Sequence, residues 1–289
     1  MQITRLHPIA VTVTALCGAA GLAVAKPAPN IVLMLSDDQS WNGLSVAMHP
    51  KFSGSKGAIV RTPHLEELAA SGLRFSAAYA PAPVCSPTRI SLQIGKGPAQ
   101  LGWTKAAATM TAADGYKLIS PGKLRAIPND EITIAELLKT AGFATAHYGK
   151  WHIDGSRPEK HGYDERDGET GNGDAAPFKD PNPVDIFGMA GRAGAFMAKS
   201  HEAQRPFFIQ MSFHALHYPE NARAQTVASV RERLDGANER QIGRIAIAED
   251  LSADLSESND LSKKNLTQTE ALDQRPENYL MEIGAKMPT

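Results

Sequence analysis

The chain has 289 residues, enough for one large or two small domains, and 42% of them are hydrophobic, as expected of a globular protein with a sizeable core. Its 30 Lys and Arg residues nearly balance its 31 Asp and Glu residues, which gives a formal net charge of -1. No overall field therefore favours nucleic acid or an anionic membrane surface, and a small molecule is the expected partner.

The first 25 residues have the pattern of a signal peptide. Arg5 gives a positively charged start, an apolar run with small residues follows as far as Val24, and small residues precede the expected cleavage site after Ala25. The apolar run is too short and weak for a typical transmembrane span, so an uncut anchor is the less favoured alternative. We expect an exported protein, periplasmic or secreted, without membrane attachment after cleavage.

The sequence has two cysteines, Cys17 and Cys85. Cys17 lies in the predicted signal peptide, so the mature protein would keep Cys85 alone and could form no internal disulfide. A lone cysteine in an exported protein is a reactive group, one half of an intermolecular bridge or a buried residue without a special role. The Pro, Ser, Thr and Arg residues around Cys85 are not typical of a core, which favours a reactive group.

Residues 29–39, PNIVLMLSDDQ, form a continuous apolar run that ends in two acids. Such a run predicts a strand buried on both faces of a parallel sheet. Ligands of open α/β sheets bind beyond the carboxyl ends of the strands, where the carboxylates of Asp37 and Asp38 would suit a hard divalent cation. A solvated turn is the alternative explanation for the pair.

A second motif follows a predicted packing helix that starts at Thr62-Pro63 and a predicted short strand at residues 73–76. Residues 82–97, APVCSPTRISLQIGKG, place Cys85 at a turn before an apolar helical run. The unpaired N–H groups and the positive dipole of a helix N-terminus favour an anion, and Arg89 adds a positive charge about one turn further on. Cys85 and Arg89 are therefore predicted to share an anion pocket.

Residues 97–129 are expected to form a surface loop near the site entrance, before a capping box at Thr133 and Glu136 opens a helix. Residues 143–152, FATAHYGKWH, then predict a strand that ends in basic residues. Lys150 and His152 are two positions apart, so on an extended backbone they would project from the same side. A solvated strand end is the ordinary alternative.

Residues 205–219, RPFFIQMSFHALHYP, predict another buried strand that runs into histidines. A Gly-, Asp-, Asn- and Pro-rich segment at 168–183 precedes this strand and is predicted to be a loop that faces the substrate.

Two helical patterns follow the strand, one through Val227, Val230 and Leu234 and one from Ile242 to Leu255. Residues 256–289 form a polar tail whose composition can bury little apolar surface.

Together these segments resemble the sulfatase family over about residues 29–255. The resemblance is carried by C-x-P-x-R at Cys85 with its trailing Gly-Lys pair, by PNIVLMLSDDQ, by GKWH at 149–152 and by PFF…H-x-P at 206–219. It implies an α/β fold like that of alkaline phosphatase, in which helices cover both faces of a central, mostly parallel sheet. The implied catalytic domain spans residues 26–255.

The resemblance also implies a mechanism. In this family a maturation enzyme oxidises the signature cysteine to formylglycine, whose hydrated aldehyde attacks the sulfur of a sulfate ester of a small molecule or glycan. Asp37 and Asp38, with the converted Cys85, would hold Ca²⁺ or Mg²⁺, and His214 is expected to be structural. The implied catalytic residues, which activate the formylglycine, contact the sulfate or assist the leaving alcohol, are Cys85, Arg89, Lys150, His152 and His217.

The sequence departs from the family pattern toward its C-terminus. Sulfatases place an Asp-Asn pair on a later strand to complete the metal site, whereas Asn259-Asp260 has the reverse order and follows no apolar strand. We therefore expect a fold that is incomplete on its C-terminal side. Three hypotheses remain open: a sulfuric ester hydrolase, a phosphonate or phosphate ester hydrolase of the same superfamily, and an inactive truncated paralogue.

Overall fold

The computed structural model describes residues 28–106, 115, 126–172, 174, 183–218 and 220–254. The predicted signal peptide, the polar tail and parts of the predicted loops at 97–129 and 168–183 lie outside the described residues. Within the described part of the chain, no helix combines the length and the apolarity needed to cross a bilayer.

The described residues form a four-stranded parallel sheet with the strand order β1-β4-β2-β3. The strands are β1 (Ile31–Leu35), β2 (Ala144–Gly149), β3 (Glu165–Arg166) and β4 (Phe207–Ser212). The helices are α1 (Pro63–Ser71), α2 (Cys85–Ile94), α3 (Pro98–Leu101), α4 (Ile134–Thr140), α5 (Ile186–Glu202), α6 (Ala224–Arg233) and α7 (Glu239–Asp254).

Helices cover both faces of this sheet. Successive strand residues point to opposite faces. On β4, Ile209 and Met211 therefore pack into an apolar cluster with α5, α6 and α7, whereas Phe208 packs into a second cluster with α2 and α4. The predicted α/β architecture, a parallel sheet between two helical layers, is confirmed.

Strand β1 is less buried than its apolar run predicts. All five residues from Ile31 to Leu35 are half-buried rather than buried on both faces. The reason is position, because β1 is an edge strand of the described sheet and pairs there with β4 alone. The strand that precedes the two acids therefore lies at an edge of the described sheet.

Most predicted helices begin where the sequence places them. The capping box at the start of α4 is complete: Thr133 Oγ1 accepts from the Glu136 amide at 3.3 Å, and Glu136 Oε2 accepts from the Thr133 amide at 2.8 Å. Helix α1 begins with Pro63 as predicted, but the Thr62 hydroxyl bonds to Ser45 instead of capping the helix.

The structure departs from the sequence prediction at residues 73–76, at α5 and at α3, a short helix at Pro98–Leu101 inside the segment predicted to be a loop. Residues 73–76 form no strand, and Leu73 and Phe75 are 42% and 53% exposed, because this segment pairs with no strand among the described residues. Helix α5 was not predicted, since its Gly and Ala residues weaken the apolar period. Its buried positions nevertheless follow helical spacing, at Ile186, Met189, Ala193, Phe196 and Ser200.

We predict that Thr133→Ala lowers the free energy of unfolding by about 1 to 2 kcal/mol, because the N-cap is lost and the buried His161 carbonyl loses the 2.8 Å bond that Thr133 Oγ1 donates to it. Urea unfolding followed by circular dichroism measures the change. Thr133→Ser keeps the hydroxyl and should remain close to the parent protein. Equal losses in the two variants would show that the hydroxyl does not stabilise α4.

Candidate active site

Polar side chains from three elements meet at the carboxyl end of the sheet. Asp37 and Asp38 follow β1, Cys85 starts α2, and Lys150 follows β2. One donor atom each of Asp37, Asp38 and Cys85 lies within 4.8 Å of the others. The acids predicted after β1 and the cysteine predicted at a helix N-terminus are therefore brought together, as the parallel arrangement requires.

Asp37 is fixed by backbone contacts with the segment after β4. Its amide donates to the Ala215 carbonyl at 2.8 Å, and its carbonyl accepts from the Leu216 amide at 2.7 Å. Asp38 follows with a φ of 54°, a left-handed conformation that Asp tolerates better than most residues. As a result Asp37 is buried while Asp38 is exposed on the rim of the site.

The centre of the site is a carboxylate between two cations. Arg89 Nη2 lies 3.5 Å from Asp37 Oδ1, and Lys150 Nζ contacts Asp37 Oδ2 and lies 3.5 Å from Cys85 Sγ. The side chains of Arg89, Lys150 and Asp37 are 3%, 0% and 7% exposed. Burial lowers the pKa of Arg89, and the neighbouring Asp37 carboxylate opposes that shift. Two buried positive charges thus face one buried negative charge.

Lys150 reaches the site through a sharp turn rather than an extended strand end. Strand β2 ends at Gly149, whose φ is 85° and where a Cβ would lie 2.2 Å from the Ser212 carbonyl oxygen, so only glycine fits. The Lys150 amide then donates to that same oxygen at 2.7 Å, and the Lys150 carbonyl accepts from Arg89 Nη1 at 2.5 Å.

The prediction that Lys150 and His152 project together from an extended backbone is wrong in its geometry. His152 has a φ of 49°, its amide donates to the Thr170 carbonyl at 2.7 Å, and its side chain is half-buried. Burial, then the charges of Lys150 and Arg89, lower the pKa of His152. The His152 ring therefore interacts electrostatically with Lys150 and Arg89, although His152 lies beyond the end of β2.

A buried polar network holds α2 against the sheet. Gln93 Nε2 donates to Gln210 Oε1 at 2.9 Å, and the Tyr163 hydroxyl donates to Gln93 Oε1 at 3.0 Å. Gln210 Nε2 in turn donates to Ser212 Oγ at 3.0 Å. Gln93 and Gln210 are each 1% exposed, and Ser212 is the residue whose carbonyl holds Lys150. The network connects the helix of Cys85 with the strand that positions the lysine.

Two buried histidines lie near these cations. Burial, then Arg89, lower the pKa of His147 to about 3, and burial, then Lys150, lower that of His214 to about 4. Both nitrogens of His147 and Nδ1 of His214 have no hydrogen-bond partner in the described structure. Sequence reasoning treated His214 as structural and passed over His147. Their place in the sequence could have identified both histidines. His147 is on β2 and His214 follows β4, and the site lies at the ends of these strands.

His217, like His152, is a predicted catalytic residue whose side chain makes no hydrogen bond to Asp37, Arg89 or Lys150 in the described structure. Its Nδ1 lies 2.8 Å from the Tyr218 carbonyl oxygen, and its ring stacks on the Tyr218 ring at 5.4 Å. Because it follows β4, His217 is still at the same end of the sheet as Asp37 and Lys150.

The chain is similar to known sulfatases. The family model for sulfatases matches residues 29–282, most of the chain. Arylsulfatase A of Homo sapiens is 31% identical over 242 residues, which cover 70% of this chain and 44% of that protein. N-acetylgalactosamine-6-sulfatase of Mus musculus is 32% identical over 248 residues, which cover 74% of this chain and 45% of that protein.

The fold comparison points the same way. The crystal structure of Ps i-CgsB superposes with a TM-score of 0.63 at 21% identity, over 84% of this chain and 55% of that chain. Ps i-CgsB has also been solved in complex with k-i-k-neocarrahexaose. The chain belongs to the sulfatase family, and it spans about 44% of the length of the first curated relative it matches.

The low pKa of His147 predicts a pH-dependent stability. An unfolded His titrates near 6.5, so below that pH the unfolded chain takes up a proton that folded His147 refuses until about pH 3. The contribution is complete above pH 6.5 and is lost as the pH falls toward 3. In His147→Phe the decrease in the free energy of unfolding from about pH 7 to pH 4.5 should be smaller by about 2 to 3 kcal/mol.

Urea unfolding at a series of pH values tests this expectation. His201→Gln, at an exposed position at the end of α5, is the control for loss of a histidine that is not buried. If His147→Phe has the same pH dependence as the parent protein, His147 is not held neutral in the folded state.

Proposed function

We propose that this chain carries catalytic residues of a sulfuric ester hydrolase, which cleaves sulfate esters with a formylglycine derived from Cys85 and a divalent cation. The observation that supports the proposal is the meeting of Asp37, Asp38 and Cys85 within 4.8 Å beside the paired cations Arg89 and Lys150. A sulfate ester is an anion, and this site offers buried positive charge to such a group.

The donor set fits the two groups that the family implies. Asp37 and Asp38 would hold Ca²⁺ or Mg²⁺, since both cations prefer carboxylate oxygens, and the bound ion would stabilise negative charge on a sulfate oxygen. Conversion of Cys85 would replace Sγ with the hydroxyls of a hydrated aldehyde, which supply the nucleophile. The carboxylates and Cys85 are close enough for both groups to share this site.

The protein's own cations would prepare the nucleophile and the anion. Lys150 Nζ lies 3.5 Å from Sγ, so it can donate to a hydroxyl that takes the place of Sγ and favour its deprotonated form. Arg89 is fixed by Asp37 and by the Lys150 carbonyl, which orients its guanidinium without solvent. Both residues would therefore stabilise negative charge with little reorganisation on substrate binding.

The histidines would transfer protons to or from the leaving group. The lowered pKa of His152 keeps its ring neutral at neutral pH, so the ring can accept a proton or donate its N–H. His217, after β4, would contact the sulfate or the leaving alcohol, as the sequence resemblance implies. We assign His152 and His217 to this side of the reaction, opposite the carboxylates.

A sulfated glycan is the proposed substrate class. The proposal draws on the carbohydrate in the Ps i-CgsB complex and on the name of the N-acetylgalactosamine-6-sulfatase that the chain resembles. Export, suggested by residues 1–25, would bring the protein to extracellular or periplasmic glycans. A maturation enzyme that forms formylglycine is then a required partner.

A phosphonate or phosphate ester hydrolase is the neighbouring alternative, because the tetrahedral anions are similar in size and charge. Cation binding at the candidate cluster alone is expected to be weaker than at a site with a full set of protein ligands. Hard cations take about six to eight oxygen ligands, and the candidate cluster among the described residues has carboxylates from Asp37 and Asp38.

We predict that Cys85 is converted to formylglycine and supplies the nucleophile. Co-expression with a formylglycine-forming enzyme should give a peptide in which Cys85 has the mass of formylglycine, and the converted protein should hydrolyse an aryl sulfate faster than the matched aryl phosphate. Cys85→Ala should abolish both activities. Unmodified thiol in every preparation would contradict the maturation, and a preference for the phosphate would favour the alternative.

We predict that Asp38 is a ligand of the divalent cation. Asp38→Asn keeps the side-chain shape and the left-handed backbone but removes one charge, so Ca²⁺ affinity of the converted protein should fall about tenfold or more. Isothermal titration calorimetry measures the affinity. Asp235→Asn, on an exposed turn, is the charge-matched control. Equal Ca²⁺ affinity in Asp38→Asn and the parent would exclude Asp38 as a ligand.

A further inference from the structure

Before Cys85 is converted to formylglycine, the site has a different chemistry from the one it has afterwards. Its donor atoms are a thiol sulfur and carboxylate oxygens, which lie within 4.8 Å of one another in Cys85, Asp37 and Asp38. Sulfur is a poor ligand for Ca²⁺ and Mg²⁺, which take oxygen, but a preferred ligand for Zn²⁺ and similar thiophilic ions. The same three residues thus suit different ions before and after conversion of the cysteine.

The spacing also suits a small coordination sphere. Zinc bonds of about 2.0 to 2.3 Å place the ligand atoms of a tetrahedron roughly 3.3 to 3.8 Å apart. Donor atoms within 4.8 Å need only small side-chain movements to reach such distances. Asp38 is exposed and Cys85 is half-buried, so both can adjust and an ion can enter from the rim.

The surroundings provide a second, independent indication of a bound group. His214 is 5% exposed, its Nδ1 is buried without a hydrogen-bond partner in the described structure, and its ring interacts electrostatically with Lys150, Arg89 and Asp37. An unpaired buried polar atom is costly unless something else binds it. A water on a metal ion at Asp37 would supply the missing hydrogen bond, in the outer-sphere role that orients metal ligands.

We propose that the unconverted protein binds a thiophilic divalent cation, Zn²⁺ or Cd²⁺, through Cys85 Sγ and the carboxylates of Asp37 and Asp38. Binding forms a metal–sulfur bond and releases the thiol proton to solvent, while water completes the coordination sphere. Conversion of Cys85 removes the sulfur and with it the preference for these ions. Maturation therefore changes the class of metal that the site accepts.

The inference shares Cys85, Asp37 and Asp38 with the proposed function and rests on it to that extent, but it requires no hydrolysis. The full chain is made without a maturation enzyme and with Cys17→Ser, so that Cys85 is its one thiol. Cd²⁺ is then titrated into the protein, and the thiolate-to-metal charge-transfer absorption is followed in the ultraviolet. One equivalent of Cd²⁺ should saturate the band, and Zn²⁺ should displace it while excess Ca²⁺ should not.

Variants separate the three-residue site from a simple reactive thiol. Cys85→Ser should eliminate the band, and Asp38→Asn should weaken Cd²⁺ binding by at least the roughly 10- to 100-fold that loss of an outer-sphere partner typically costs. Asp235→Asn should bind like the parent, and circular dichroism checks that each variant is folded. The inference is overturned if Asp38→Asn binds Cd²⁺ as tightly as the parent, or if Ca²⁺ competes with Cd²⁺ as well as Zn²⁺ does.

These outcomes do not depend on the outcome for sulfate hydrolysis. A protein that hydrolyses aryl sulfate after conversion but shows no Cd²⁺ band before it would retain the proposed function and refute the thiophilic site. The reverse result, a Cd²⁺ site without hydrolysis, would support the site and count against the enzyme activity.

Discussion

The site depends on one buried carboxylate, that of Asp37, which lies between Arg89 and Lys150. Burying a charged group is costly unless a partner and hydrogen bonds compensate for the lost water, and removing one partner from a buried pair typically costs about 3 to 5 kcal/mol. Here two buried cations share one buried anion, because Asp38 and Cys85 are not fully enclosed. The interior of the site therefore has an excess of positive charge, which would stabilise a bound anion.

That excess also determines the state of nearby histidines. Burial lowers the pKa of His147 and of His214, and the charge of Arg89, joined for His214 by that of Lys150, lowers both further, so both rings stay neutral at neutral pH. A protonated ring there would add to the excess of positive charge. A sulfate group, by contrast, would reduce it. The arrangement that stabilises neutral histidines is thus the same one that would attract the substrate.

Sequence patterns predicted the parts of the site whose signals are local. The acids after the apolar run, the cysteine before a proline-marked helix and the capping box of α4 each depend on a few neighbouring residues. The fold class followed from the resemblance to the sulfatase family, and the apolar run at residues 29–39 separately predicted a strand of a parallel sheet. In each case the required backbone is an ordinary strand or helix that residue preferences specify.

The failures come from interactions distant in sequence. Whether residues 73–76 form a strand depends on a neighbouring strand rather than on their own preference. The turn at Gly149 depends on the approach of the Ser212 carbonyl, which the pattern FATAHYGKWH does not reveal. The roles of Gln93 and Gln210 are likewise visible only once α2 lies on β4, because an isolated glutamine within an apolar pattern predicts no partner.

The position of the carboxylates at the edge of the described sheet divides the site into two unequal halves. The cationic half, Arg89 and Lys150, is enclosed and held by backbone contacts, so its geometry is fixed before any ligand binds. The half with Asp38 and Cys85 opens toward solvent beside β1, whose residues are only half-buried. An ion that enters there would meet ligands that can still move, and under our proposal the chemistry of residue 85, rather than a rigid cage, would set its identity. The enclosed half would recognise the anion, and the open half would adapt to the metal.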